Sequence, residues 1–236
     1  MCSPHNNCFA VHLLPLAAVA LMVFAASSAN AQLYLEARGA ATRVPDTDID
    51  GPGSAQIGKE MDFETGFLAS AAVGYAFSDV TDFRWLDQVR LEVEGFFQKV
   101  SFDSVAGEPA APAPTLSGSG GGFTNWGGLV SVLYDLPVGD RLGGVSPYVG
   151  GGLGGSDFDV DGGEPNQPDG EDDSEVLFLY QIRAGATYKI ADRWALNVGY
   201  RYLASPTDVQ LKARQTEPFK IEYRSHNFEV GIRFKF

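Results

Sequence analysis

The last eleven residues, His226-Asn227-Phe228-Glu229-Val230-Gly231-Ile232-Arg233-Phe234-Lys235-Phe236, alternate strictly. Phe228, Val230, Ile232, Phe234 and Phe236 share one parity; Asn227, Glu229, Gly231, Arg233 and Lys235 share the other. A strand sends successive side chains to opposite faces, so one face here is wholly apolar and the other polar or small. A soluble protein that ends on such an edge carries an aggregation hazard. In a bilayer the same edge is closed within a barrel, whose outer face is apolar with aromatics at its rims. The stretch predicts the closing strand of a transmembrane barrel.

Seven further segments of the same period precede it, at 33–44, 66–77, 85–97, 126–136, 147–155, 177–190 and 194–203. In the third, Val89, Leu91, Val93 and Phe97 oppose Arg90, Glu92 and Glu94; in the seventh, Leu196, Val198, Tyr200 and Tyr202 oppose Asn197 and Arg201. The fifth, glycine-rich, is the least specified. Most are long enough for tilted spans of roughly 9–11 residues. The expected fold is therefore all-β: an eight-stranded antiparallel up-and-down transmembrane β-barrel over residues 32–236. The 28 glycines and 16 phenylalanines suit strands and turns, and no useful segment has helical period.

Alternation alone does not say which face looks outward, since a lipocalin-like soluble barrel would turn its apolar face inward. The tryptophans decide the expectation. Trp85, Trp126 and Trp194 each fall at a segment end on the apolar parity, where an indole sits between apolar and wet surroundings. An eight-stranded lumen is filled by ordinary side chains and has little room for them. Phe234 and Phe236 join this expected membrane rim.

The links sort into two classes. Short ones at 78–84, 137–146 and 191–193 alternate with long ones at 45–65, 98–125, 156–176 and 204–222. Outer-membrane topology puts short turns on the periplasmic side and long loops outside. The tract 107–122 is Pro/Ala-rich, then Gly/Ser-rich, of linker composition. The third long link carries nine carboxylates between Asp157 and Glu175 and no basic residue.

Residues 1–31 read as a secretory signal peptide: an apolar run from Leu13 to Ala26, then Ala29-Asn30-Ala31 as a small-x-small cleavage pattern. Both cysteines, Cys2 and Cys8, would leave with it, and with them any disulfide or thiolate chemistry. The formal charge of −13 belongs to the remainder and argues against nucleic acid as a partner, because phosphate backbones need a basic surface.

The polar parity collects Glu36, Arg38, Arg90, Glu92, Glu94, Asp135, Arg183, Lys189, Arg201, Glu229, Arg233 and Lys235. Charges at that density in a narrow lumen must pair, because an isolated buried charge costs several kcal/mol. They make either an ion path or a salt-bridged plug, and the plug is favoured. Gly74, Gly185, Gly199 and Gly231 fall on the same parity and are expected to make space for it.

Three motifs suggest other chemistry. Asp46, Asp48, Asp50 and Asp157, Asp159, Asp161 each form D-x-D-x-D-G, the opening of a calcium loop. The twelfth positions are Ile57 and Pro168, so the bidentate glutamate is missing, and only weak divalent-cation association is expected. Gly150, Gly152 and Gly155 satisfy G-x-G-x-x-G, but no βαβ unit surrounds them. Ser225 beside His226 suggests a hydrolase pair, yet adjacent strand residues point to opposite faces. No cofactor is expected, and no enzyme.

The chain resembles the OmpA/OmpX-like eight-stranded outer-membrane barrels, and within them the opacity-type surface antigens of Gram-negative bacteria. The marks are Val73-Gly74-Tyr75, Val132-Leu133-Tyr134-Asp135, Pro147-Tyr148-Val149-Gly150, Gly199-Tyr200-Arg201-Tyr202 and the Phe-ended last strand. The resemblance implies a role in membrane integrity, adhesion or surface display. It also implies a terminal Phe read by the barrel-assembly machinery, contact with outer-membrane lipids and lipopolysaccharide, and long loops meeting a host or cell-surface ligand. A small channel and a lipid-modifying enzyme are the alternatives.

Overall fold

The computed structural model describes residues 32–45, 47–48, 60–63, 65–77, 85–106, 122–138, 143–161, 175–206, 209–211, 219–221 and 223–236. The expected leader, Asp46, Asp50 and the tract 107–121 lie outside the described residues. In chain order the strands are β1 (Gln32–Arg43), β2 (Thr47–Asp48), β3 (Glu60–Phe63), β4 (Gly66–Ala76), β5 (Val89–Ala106), β6 (Gly122–Asp135), β7 (Val145–Asp161), β8 (Glu175–Lys189), β9 (Trp194–Ala204), β10 (Val209–Leu211), β11 (Phe219–Ile221) and β12 (Arg224–Lys235). A 3-10 turn, Leu86–Gln88, precedes β5.

Eight of these strands close a ring of antiparallel neighbours, β1-β4-β5-β6-β7-β8-β9-β12 and back to β1. Closure leaves no unpaired edge within the wall, where an unsatisfied backbone group would cost several kcal/mol in lipid. The ring is staggered. Register partners lead from Leu33 through Tyr75, Leu91, Val132, Gly151, Ile182, Tyr202 and His226, and return to β1 at Arg43, ten residues along. That stagger tilts the strands by roughly 35–45° and fixes which residues of distant strands share a level. The short strands add to the long-loop end: β2 pairs with β3, β3 with the far end of β5, and β10 with β11.

The wall is apolar outside and polar inside, as the alternation predicts. Val130, Val132, Ile182, Val198, Val230 and Ile232 stand exposed around its middle, while Glu36, Arg38, Glu92, Arg183 and Arg201 are buried within. Near the short-turn end Trp194, Phe234 and Phe236 pack ring against ring, at 4.9 and 5.4 Å between centroids. Toward the other end Phe67, Phe97, Trp126 and Phe178 are exposed on the same outer face.

Three expectations need correction. Trp85 is not on a strand; it lies in the turn before β5, exposed, and Trp126 stands within β6 rather than at its end. The wall also rises further than alternation suggests: β5 continues to Ala106, β6 starts at Gly122, and β7 runs to Asp161. Above the aromatic level the pattern inverts, with Lys99, Asp157 and Asp159 turned outward and Val100, Phe123 and Phe158 buried inside. A wall leaving lipid for water needs a polar exterior, so the outward alternation ends there while the strand does not. Finally, Lys189 points into solvent at the end of β8 and pairs with Asp192 in the adjoining turn at 3.2 Å, outside the lumen network.

Candidate functional site: the charged lumen

The lumen is filled in layers. At the long-loop end lies an apolar cap of Val44, Leu68, Phe96, Val100, Phe123 and Phe158 with Leu177, Leu179, Leu203 and the Tyr223 ring. Phe123 and Phe158 stack at 4.9 Å, with Tyr223 edge-on to both. Beneath the cap is a neutral polar layer. The Tyr223 hydroxyl donates to Gln98, the Thr42 hydroxyl donates to Asn227 Oδ1 at 2.6 Å, and Asn227 Nδ2 donates to Ser225 Oγ at 3.1 Å.

Below that layer the ion pairs cross the barrel. Arg38, from β1, donates through Nε to Glu36 Oε1 at 2.6 Å, through Nη2 to Glu92 Oε2 at 2.6 Å and through Nη1 to Glu94 Oε2 at 3.0 Å. Arg183, from β8, donates to Glu92 Oε2 at 3.0 Å and to Glu229 Oε2 at 3.1 Å. Arg201 Nη2 lies 2.6 Å from both Glu94 Oε1 and Glu229 Oε1. Arg233 donates to Glu36 Oε2 at 2.8 Å, and its guanidinium stands 4.5 Å from the centre of the Tyr34 ring. Arg90 grips Asp135 with two bonds of 2.8 Å and adds Glu92 Oε1 at 3.2 Å. Glu92 is the hub, accepting from Arg38, Arg90, Arg183 and the Tyr34 hydroxyl.

The balance is five arginines against Glu36, Glu92, Glu94, Glu229 and Asp135. Every sequence-predicted member of the network (Glu36, Arg38, Arg90, Glu92, Glu94, Arg183, Arg201, Glu229, Arg233) is present in it. Missed were Tyr34 and Asn197, whose Nδ2 donates to Glu36 at 2.6 Å. Both share the inward parity of their neighbours, so strand period alone was sufficient to find them.

Small residues make this filling possible. A Cβ at Gly74 would collide with the Tyr34 ring, at Gly185 or Gly199 it would stand 2.7 Å from the Tyr148 hydroxyl, and at Gly231 2.8 Å from Arg38 Cγ. Gly150 and Gly152 of the G-x-G-x-x-G are inward wall positions on β7, whose Cβ atoms would run into Leu133 and Ser131.

At the short-turn mouth a cleft of about 160 Å³ reaches Asp135, Lys189, Arg193, Trp194, Arg233 and Lys235. It stops at the network: Glu92 and Arg183 are about 1% exposed. Ser225 and His226 face opposite ways, as strand geometry requires. Ser225 is buried in the polar layer, whereas His226 Nδ1 lies 2.5 Å from the Tyr200 hydroxyl on the outer wall.

Asp157 and Asp159 are not in a loop but at successive outward positions of β7, roughly 7 Å apart along an extended strand, so they do not converge on one point. Of Asp48 and Asp161 only the backbone is described. Among the described residues no group of three or more His, Cys, Asp or Glu side chains is placed to hold a metal ion.

A closed eight-stranded wall, apolar outside and packed with paired charge inside, is the arrangement of an outer-membrane barrel. The outer membrane protein beta-barrel domain family matches residues 13–236. The chain belongs to this family. Its fold is similar to that of OprG from Pseudomonas aeruginosa, at 15% identity over 87% of this chain and 96% of that one, with a TM-score of 0.54. The major outer membrane protein of Thermus thermophilus gives 14% identity, 88% and 100% coverage and a TM-score of 0.48. Escherichia coli outer membrane protein W gives 16%, 89%, 100% and 0.44. No curated protein sequence matches. Membership places this barrel in the outer membrane.

Proposed function

We propose that this barrel is a sealed structural and surface element of the outer membrane rather than a conduit, and that its ligands are met by the long outer links. What supports this is the Glu92 hub. Three arginines drawn from β1, β5 and β8 converge on one carboxylate with almost no exposure, so the charges are spent on one another across the lumen. Ion passage would require parting several buried pairs, at about 3–5 kcal/mol for each partner removed. The apolar cap closes the lumen a second time.

The partners that fit are outer-membrane lipids and lipopolysaccharide along the wall, and the barrel-assembly machinery at the Phe236 end. A host or cell-surface ligand at the acidic outer links would make the protein an adhesin or surface antigen.

Single-channel recording in planar bilayers tests the sealed lumen. The refolded barrel should give no steady conductance, while Glu92→Ala combined with Arg183→Ala should open brief, small events. Long-lived ion-selective openings of the unmodified barrel would establish a channel instead.

A further inference from the structure

On the outer wall of β8, β9, β12 and β1 a single register row joins Ile182, Tyr202, His226 and Arg43. All four are at outward parity, and Arg43 is the last residue of β1, at the end away from the short turns. The His226 ring lies 5.4 Å from the Tyr202 ring and 6.0 Å from the Tyr200 ring. Tyr180 extends the aromatic surface 6.2 Å beyond Tyr202, and Phe228 sits 5.5 Å from Tyr200 toward the membrane centre. Arg224 is the next outward residue above His226 on β12.

Resting on the lipid contact proposed above for the wall, we infer that the outer end of this row is a binding seat for the phosphorylated sugar headgroup of an outer-leaflet glycolipid, with Arg43 and His226 taking the phosphate and the tyrosines taking the sugar face and acyl root. The position is right for such a headgroup. The row climbs from Ile182 in the apolar middle of the wall to Arg43 at the outer end of β1, so its Arg43–His226 end stands near the outer rim, where lipid headgroups meet a barrel.

The donors are right as well. The Tyr200 hydroxyl, assigned as donor to His226 Nδ1, puts the ring proton on Nε2 and leaves that N–H directed away from its tyrosine partner. Arg43 is exposed, and among the described residues no ion pair of it is found. A guanidinium beside an imidazole N–H gives phosphate oxygens charge-assisted bonds.

Cross-strand neighbours are about 5 Å apart, so the donors and rings span three strands, roughly 10 Å. That breadth fits a phosphorylated sugar better than a single glycerol phosphate. In a chain of net charge −13, basic groups turned toward lipid mark a surface complementary to phosphate.

The test uses the refolded full barrel in detergent and native mass spectrometry with four probes: diphosphoryl lipid A, monophosphoryl lipid A, phosphatidylglycerol and inorganic phosphate. Arg43→Ala with His226→Phe should weaken retention of diphosphoryl lipid A about tenfold, as expected for the loss of charge-assisted bonds. Phosphatidylglycerol and inorganic phosphate should bind weakly to both proteins, and the heat-dependent gel shift should show the variant still folded. Should Arg43→Ala fail to fold, Arg43→Gln carries the same comparison. Equal retention of diphosphoryl lipid A by wild type and variant overturns the seat. Retention of phosphatidylglycerol as strong as that of lipid A, and lost to the same degree in the variant, overturns the glycolipid in favour of a general phospholipid contact.

Discussion

Arg183 on β8 donates to Glu92 on β5 at 3.0 Å, across a lumen in which β6 and β7 lie between them along the wall. Arg38, which shares Glu92 with Arg183, takes the room left at Gly231 on β12, where a Cβ would stand 2.8 Å from its Cγ. Empty wall positions and long charged side chains are thus two halves of one packing solution.

Glu92→Gln is expected to be among the most damaging single changes in the lumen. It leaves Arg38, Arg90 and Arg183 short of a shared carboxylate, a loss of about 3–5 kcal/mol for a broken buried pair. Asp135→Asn removes a charge whose side chain is 27% exposed, and Arg90 keeps Glu92 and Tyr34, so about 1 kcal/mol is expected there. Urea unfolding in lipid vesicles, followed by the gel shift of folded barrel, should order the two variants this way.

Gly74→Ala tests the close approach of Tyr34. The added methyl collides with the ring, and overpacking costs about 1–3 kcal/mol. Tyr34→Leu loses the hydroxyl bond to Glu92 yet leaves room for the methyl. The double variant should be more stable than the sum of the two single losses by about 1 kcal/mol or more. Simple additivity would mean that the ring and Gly74 are not in contact.

Parity made the membrane-spanning wall legible, because a two-residue period assigns a face to each side chain once register with lipid is assumed. It placed Glu92, Arg183 and Glu229 inside without any knowledge of neighbours. What it could not give is pairing: that Arg183 meets Glu92, Glu94 and Glu229 rather than Glu36 or Asp135 follows from the ten-residue stagger, which no single strand encodes. The upper wall was illegible for another reason. From Lys99 and Val100 onward the outside is water, the apolar and polar faces exchange roles, and the strand pattern of the lipid belt stops. Lys189 was misplaced because a strand end frees a long side chain to turn toward Asp192.

The last expectation separates stability from assembly at the chain end. Val230 stands at mid-strand in β12, facing outward between Gly39 and Val198, so lysine there would sit near the bilayer centre. Val230→Lys should cost about 2–4 kcal/mol in vesicles. Phe234 lies close to the short-turn rim against Trp194, and Phe234→Lys should cost only about 0–1 kcal/mol, because lysine there reaches water. An unchanged unfolding midpoint for Val230→Lys would mean that this face does not meet lipid. Phe236 donates its backbone N–H to Leu33 at 3.1 Å, one bond among many across the β1–β12 seam, so deleting it should hardly alter refolding of the purified chain. If the terminal phenylalanine is instead read during assembly, the same deletion should sharply reduce folded barrel in the outer membrane of cells. Equal losses in vesicles and in cells would show that Phe236 acts through the stability of the seam alone.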